Sequence, residues 1–80
     1  MRCKLCGNTQ SLERHHLIFG RGRRELSEKY NLVDWLCGRC HRKVHMQRNL
    51  MDWSKQEGQK RFEKEYGHEK YMEIFGRNYL

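Results

Sequence analysis

CGRCHRKVH, residues 37–45, sets Cys37, Cys40, His41 and His45 within nine residues. A small zinc finger would place all four on one ion. Alternatively the two cysteines complete a sulfur set begun elsewhere, and the two histidines are left for other chemistry. Cys3 and Cys6 bear on that choice, because they form a second C-x-x-C pair. Structural zinc takes four tetrahedral ligands, with thiolates about 2.3 Å away. Two such knuckles supply a complete set, so a structural Zn2+ on Cys3, Cys6, Cys37 and Cys40 is expected. A redox C-x-x-C, which does not need a second pair, and unligated core cysteines are the competing readings. Residues 7–36 separate the knuckles, more than the roughly 15 to 20 residues of common ribbon spacing. A substantial insertion must therefore sit between them. Once closed by four protein ligands, such a site is inert.

The chain has 80 residues, enough for one small domain with a thin core. Hydrophobic residues make up 36% and charged residues 34%, a balance that calls for a metal or disulfide staple, or for oligomerisation. The sequence opens Met1-Arg2-Cys3 directly on the first knuckle, without a secretory signal, and a cytoplasmic, reducing setting is expected. That setting favours metal over disulfides. No stretch approaches the roughly 18 apolar residues of a membrane span, so no membrane partner is expected. The net charge is +7, from 17 Lys and Arg against 10 Asp and Glu. Such a balance suits a polyanion partner, because neutralising phosphates releases counterions. Composition does not separate DNA from RNA, and a soluble basic protein without a nucleic-acid role is the plain alternative.

Residues 11–19, SLERHHLIF, read as a strand anchored by Leu12, Ile18 and Phe19. The following GRGRRELSEKYN reads as a basic, glycine-punctuated loop. LVDWL, residues 32–36, is a short strand or extended entry to the second knuckle, and a helix is expected from near Gly38 to about Met46. From Leu50 the pattern is helical. Ser54 and Glu57 match an S-x-x-E capping box, with Phe62 and Tyr66 one turn apart on a common face. Gly67 suits the helix stop, and HEKYMEIF a second short helix with Tyr71, Ile74 and Phe75 inward, ending at Gly76. The organisation expected is one domain: a metal-bearing core over residues 1–48 and a helical extension over 49–80 packed on it. The extension, with His68, is read as packing rather than chemistry.

If zinc takes the cysteines, His41 and His45 remain, four apart and on one helical face. Their natural partners are His15 and His16. Adjacent residues on a strand point to opposite faces, so one of the pair can bind a metal while the other reaches a substrate. Closing the sulfur site draws that strand beside the helix, and His15, His16, Asn31, His41 and His45 are expected to converge.

C-x-x-C, then HH, then YNLVDWLC, then C-x-x-C-H and a further H resembles the HNH endonuclease family over residues 3 to about 45. The tail is similar to small HNH proteins of phages and prophages. The resemblance implies a small α+β fold: a zinc-stapled ββα-metal core, treble-clef-like, with the helical extension added. Carried over by position, it implies His15 and His41 as ligands of a catalytic divalent metal, and His45 as a further ligand. It also implies His16 as general base and Asn31 as the residue orienting that base through its backbone or side chain. LIFGRG stands where the family often has a proline after the HH strand.

The residue types suit this chemistry. Imidazole titrates near cellular pH and can take a proton from water. A divalent ion with open positions can stabilise the phosphate and the leaving oxygen. A neutral all-imidazole site suits borderline metals, so Mn2+, Ni2+, Co2+ or Zn2+ are expected to serve as well as Mg2+. Arg21, Arg23 and Arg24 in the loop and Arg39, Arg42 and Lys43 on the helix are candidate phosphate contacts, with a solvated basic loop as the plain reading. DNA is the expected partner, read with weak sequence preference. A homodimer through Trp53, Phe62, Tyr66 and Phe75 is a further option, though core packing explains those residues equally well. A non-catalytic zinc module that binds nucleic acid and a zinc-stapled adaptor domain are the competing functions.

Overall fold

The computed structural model describes residues 1–80. Its elements, in chain order, are β1 (Leu12–His16), α1 (Arg23–Lys29), β2 (Val33–Cys37), α2 (Gly38–Met46), α3 (Arg48–Tyr66) and α4 (His68–Phe75). The molecule is therefore a small α+β protein with two strands and four helices. No helix is long and apolar enough to cross a membrane.

β1 and β2 pair antiparallel, with Leu12 opposite Cys37 and His16 opposite Val33. One further backbone bond, from Leu17 N to Leu32 O at 2.8 Å, carries the ladder past the strand end. Alternation puts Glu13 and His15 on one face of β1 and Arg14 and His16 on the other. The register also brings the second knuckle alongside the start of β1, where Gly38 N donates to Ser11 O at 3.1 Å.

The segment GRGRRELSEKYN is not a loop throughout, because α1 occupies Arg23–Lys29 within it. What the composition hides is one serine. Ser27 is fully buried, its hydroxyl donating to Ile18 O at 2.6 Å and accepting from Ile18 N at 3.2 Å. Leu26 and Tyr30 pack beside it against the core. Tertiary hydrogen bonding thus offsets the cost of placing a polar helix against the sheet.

The expected capping box is also overturned. α3 begins at Arg48, and Ser54 lies inside it, fully buried. Its hydroxyl donates to Leu17 O at 2.7 Å rather than capping a helix end. Residue 58 permits this close approach. A Cβ on Gly58 would lie 2.7 Å from Ile18 Cγ1 and 3.0 Å from Leu17 Cβ.

Two apolar clusters form the core. Leu17, Ile18, Leu32, Phe62, Tyr71 and Phe75 join the end of β1 to α3 and α4. Cys3, Leu36, Cys37, Cys40 and Val44 form the second, beneath α2. Phe62 and Phe75 are therefore core residues, whereas Trp53 is half-buried and Tyr66 exposed. Ile74 is half-buried, less inward than Tyr71 and Phe75. Fully burying one large apolar side chain is worth about 1.5–3 kcal/mol, so two clusters of this size leave little margin.

Candidate metal and nucleic-acid site

The four cysteine sulfurs lie within 4.8 Å of one another, and all four thiols are unbridged. Cys6 Sγ and Cys37 Sγ are 3.7 Å apart, too long for a disulfide. A tetrahedron of sulfurs about 2.3 Å from a central ion has edges of about 3.8 Å. The cluster therefore fits a metal such as zinc. Its electrostatics favour a cation too. Burial would raise the Cys3 thiol, but backbone N–H donors from Cys37, Cys6 and Leu5 outweigh it and hold Cys3 low. The Cys40 backbone likewise lowers Cys37, while burial and the neighbouring sulfurs push Cys40 up to about 12. Thiolate forms readily at part of the cluster, and full ionisation needs a positive charge at its centre.

A second group forms at the junction of β1 and α2. The ligand nitrogens of His15, His41 and His45 also lie within 4.8 Å of one another. Ring centroids are 5.1 Å apart for His15 and His41, 5.6 Å for His15 and His45, and 5.0 Å for His41 and His45. His15 is 1% exposed. Desolvation, together with the neighbouring His41, His45 and His16, holds it down at about 3, so its imidazole is neutral at cellular pH.

Which nitrogen of His15 carries the proton follows from Ser54. The serine hydroxyl has one hydrogen, already donated to Leu17 O. It must therefore accept from His15 Nε2, 2.8 Å away. That leaves His15 Nδ1 with a bare lone pair, shielded from solvent and without any hydrogen-bond partner. A buried acceptor left without a partner costs about 1–3 kcal/mol, and its neighbours here are two more imidazoles. His41 is oriented in a parallel way. Its Nδ1 donates to Glu13 Oε1 at 2.7 Å, leaving Nε2 as its acceptor nitrogen. Glu13 comes close to the helix because Gly38 has no side chain; a Cβ there would lie 3.2 Å from Glu13 Oε2. These are the outer partners that fix imidazole tautomers in metal sites, so the donor set fits a divalent ion.

His16 points to the opposite face, as alternation requires. Its Nε2 donates to Glu28 Oε2 at 2.8 Å, so Nδ1 is the nitrogen able to accept a proton. Glu28, on α1, is held below the usual carboxylate range first by Arg14 and then by His16. Arg14 binds it in two-pronged fashion, through Nε at 3.1 Å and Nη2 at 2.6 Å. The side chain that bonds the His16 ring is thus Glu28 and not Asn31. Asn31 is exposed in the turn before β2 at φ 58°, and its side chain bonds to nothing.

Both histidine faces open into one cleft of about 290 Å³, lined by His15, His16, His41, His45, Phe19, Arg14 and Arg24. Of the six basic residues read as phosphate contacts, only Arg24 lines it. Arg39 and Arg42 face a separate hollow beside the second knuckle. Arg21 and Lys43 are exposed elsewhere, and Arg23 is half-buried. Sequence reasoning missed Glu13, Arg14, Glu28 and Ser54. The first two had a signal in strand alternation, which puts Glu13 with His15 and Arg14 with His16; the other two had none. No family model matches the chain, and no curated protein and no solved structure matches it.

Proposed function

We propose that this chain is a metal-dependent DNA endonuclease of the HNH type, a ββα-metal nuclease whose core is stapled by structural zinc. The observation that carries the reading is His15 Nδ1. A buried, neutral imidazole keeps an unused lone pair beside the ligand nitrogens of His41 and His45, one residue from a second histidine held by a carboxylate in the same cleft. A divalent ion on His15, His41 and His45 would supply Lewis-acid stabilisation of the phosphate and of the leaving 3′ oxygen.

The chain's own residues account for the rest of the chemistry. Glu28 fixes the His16 ring and its tautomer, so that Nδ1 accepts a proton from water as the water oxygen bonds to phosphorus. The bond from phosphorus to the 3′ oxygen breaks, and that oxygen ends as a hydroxyl after protonation from solvent. Arg24, on the cleft wall, offers a positive charge to the non-bridging oxygens, and the Arg14–Glu28 pair keeps His16 from swinging out of the cleft.

The test is conversion of supercoiled plasmid to nicked circle by the zinc-loaded protein, with Mn2+, Ni2+, Co2+ and Mg2+ added separately. Nicking with the transition metals is expected, since imidazole ligands suit them. DNA binding without nicking under any of the four would instead make the protein a binding module.

Ser54 gives a second prediction. Ser54→Ala removes the acceptor that fixes the His15 tautomer, and outer partners of this kind are worth about 10- to 100-fold in metal affinity. Calorimetric titration of zinc-loaded protein with Co2+ should show a loss of that size at the histidine site. The His15 nitrogen shifts should report a mixed tautomer. Unchanged affinity would mean that Ser54 only packs α3 against β1.

A further inference from the structure

Beyond Phe19, on the side of the cleft facing α3, positive charge gathers without a matching carboxylate. Lys55 is half-buried on α3, its Nζ 4.8 Å from the Phe19 ring centroid and 5.4 Å from that of Tyr79. The Arg77 guanidinium carbon is 5.5 Å from the same tyrosine ring. Neither Arg23, Lys55 nor Arg77 forms an ion pair, and Arg23 Nε is closed off from solvent with no acceptor. Asp52 is the acid that faces Lys55, and it is partnered by Arg48 at 3.7 Å. Burial first, then Arg77, Arg23 and Arg48, hold the Lys55 ammonium below the usual lysine range.

This gathering is built into the frame. The residues after α4 are tied back across α3. Tyr79 N donates to Gln59 Oε1 at 2.7 Å, and Gln56 Nε2 donates to Tyr79 O at 3.1 Å. Tyr71 Oη donates to Arg77 O at 2.6 Å, and Gln59, itself fully buried, also donates to Asn78 Oδ1 at 2.7 Å. A chain end that would otherwise fray is thus fixed by four bonds. Holding like charges together on a rigid support costs free energy, and an anion placed between them returns it. The aromatic walls shield Lys55 partly from water, which strengthens its attraction for an incoming anion.

The location identifies the anion. The Phe19 ring that covers Lys55 lies 4.6 Å, centroid to centroid, from His45. The cationic cluster therefore adjoins the histidine cleft across the width of one phenyl ring. We propose that Arg23, Lys55 and Arg77 form a subsite for a backbone phosphate of the nucleic acid, next to the scissile position, assembled from the start of α1, from α3 and from the tail. The assignment of the anion to a nucleic-acid strand rests on the nuclease reading above; the presence of an anion subsite does not.

The experiment follows binding of a short labelled duplex by fluorescence anisotropy over a series of salt concentrations, with full-length zinc-loaded protein and no second metal. Each backbone phosphate neutralised contributes about 0.9 to the slope of log affinity against log salt. The double variant Lys55→Gln/Arg77→Gln should flatten the slope by about one and weaken binding by about tenfold at low salt. Asp52→Asn should tighten binding several-fold, a gain that misfolding cannot mimic. In the double variant the KM for plasmid nicking should rise about tenfold, in step with the loss of binding. If the wild type binds and both variants match it in slope and affinity, no phosphate sits there, and the nuclease reading is untouched. If the slopes change as stated while no metal supports nicking, the subsite stands and the nuclease reading falls. A wild type that does not bind duplex at low salt overturns the nuclease reading and the assignment of the subsite to a nucleic-acid strand.

Discussion

His16→Ala is expected to abolish plasmid nicking, by about 10²- to 10⁴-fold, the usual contribution of a positioned general base. Binding of zinc, of the second metal and of DNA should persist. The expectation of a selective loss comes from the two faces of β1. His15 is buried against Ser54, and its removal would disturb both metal affinity and packing. His16 is half-buried at the cleft wall, and its one side-chain hydrogen bond goes to Glu28, which keeps its two bonds to Arg14 when His16 is gone. The fold has little to lose from the substitution. Glu28→Gln should reduce turnover less than His16→Ala, since the amide oxygen can still accept from Nε2 while its hold on Arg14 is weakened. Comparing the variants under single-turnover conditions, with thermal melts and metal content as controls, separates loss of the base from loss of structure. Nicking by His16→Ala at the wild-type rate would sink the proposed mechanism.

The second large effect is on stability. Stripping metal from the cysteine cluster with a strong chelator, or replacing Cys40 with Ser, should leave the chain largely unfolded. Structural zinc contributes about 10–16 kcal/mol of binding free energy in small zinc-dependent modules, comparable with the whole stability of a typical domain, about 5–15 kcal/mol. Three of the five buried residues in the cluster under α2 are cysteines. Without an ion their sulfurs repel one another as they ionise, and Leu36 and Val44 remain as the only aliphatic members. Since β1 pairs with β2 right up to Cys37, loss of the knuckle also releases the strand that carries His15 and His16. Circular dichroism before and after chelation, with metal content followed by native mass spectrometry, measures this. His45→Ala provides the contrast: that residue is exposed, so its loss should lower affinity for a second ion while the melt is retained. An apo protein with a cooperative melt like that of the metal-loaded one would show that the apolar clusters suffice by themselves.

Part of each ligand cluster was legible because it is local. C-x-x-C brings two sulfurs together through a single turn, and H-x-x-x-H shares one helical face, so Cys37, Cys40, His41 and His45 could be grouped from spacing alone. The strands and the helix from Gly38 to Met46 were legible from their apolar spacing and from the second knuckle. Other features depend on which segment lies against which. Glu28 meets His16, and Ser54 meets His15, across 12 and 39 residues of chain. Nothing near either residue marks it, and Ser54 in particular carries the local signature of a helix cap. Its hydroxyl instead takes a buried strand carbonyl and an imidazole, because burial makes an unpaired polar atom costlier than an uncapped helix end. The same rule turned a stretch that reads as loop into α1 through Ser27. Short-range spacing set which residues could act as ligands; the packing of α1 and α3 on β1 decided which nitrogen of each histidine on that strand is left to act.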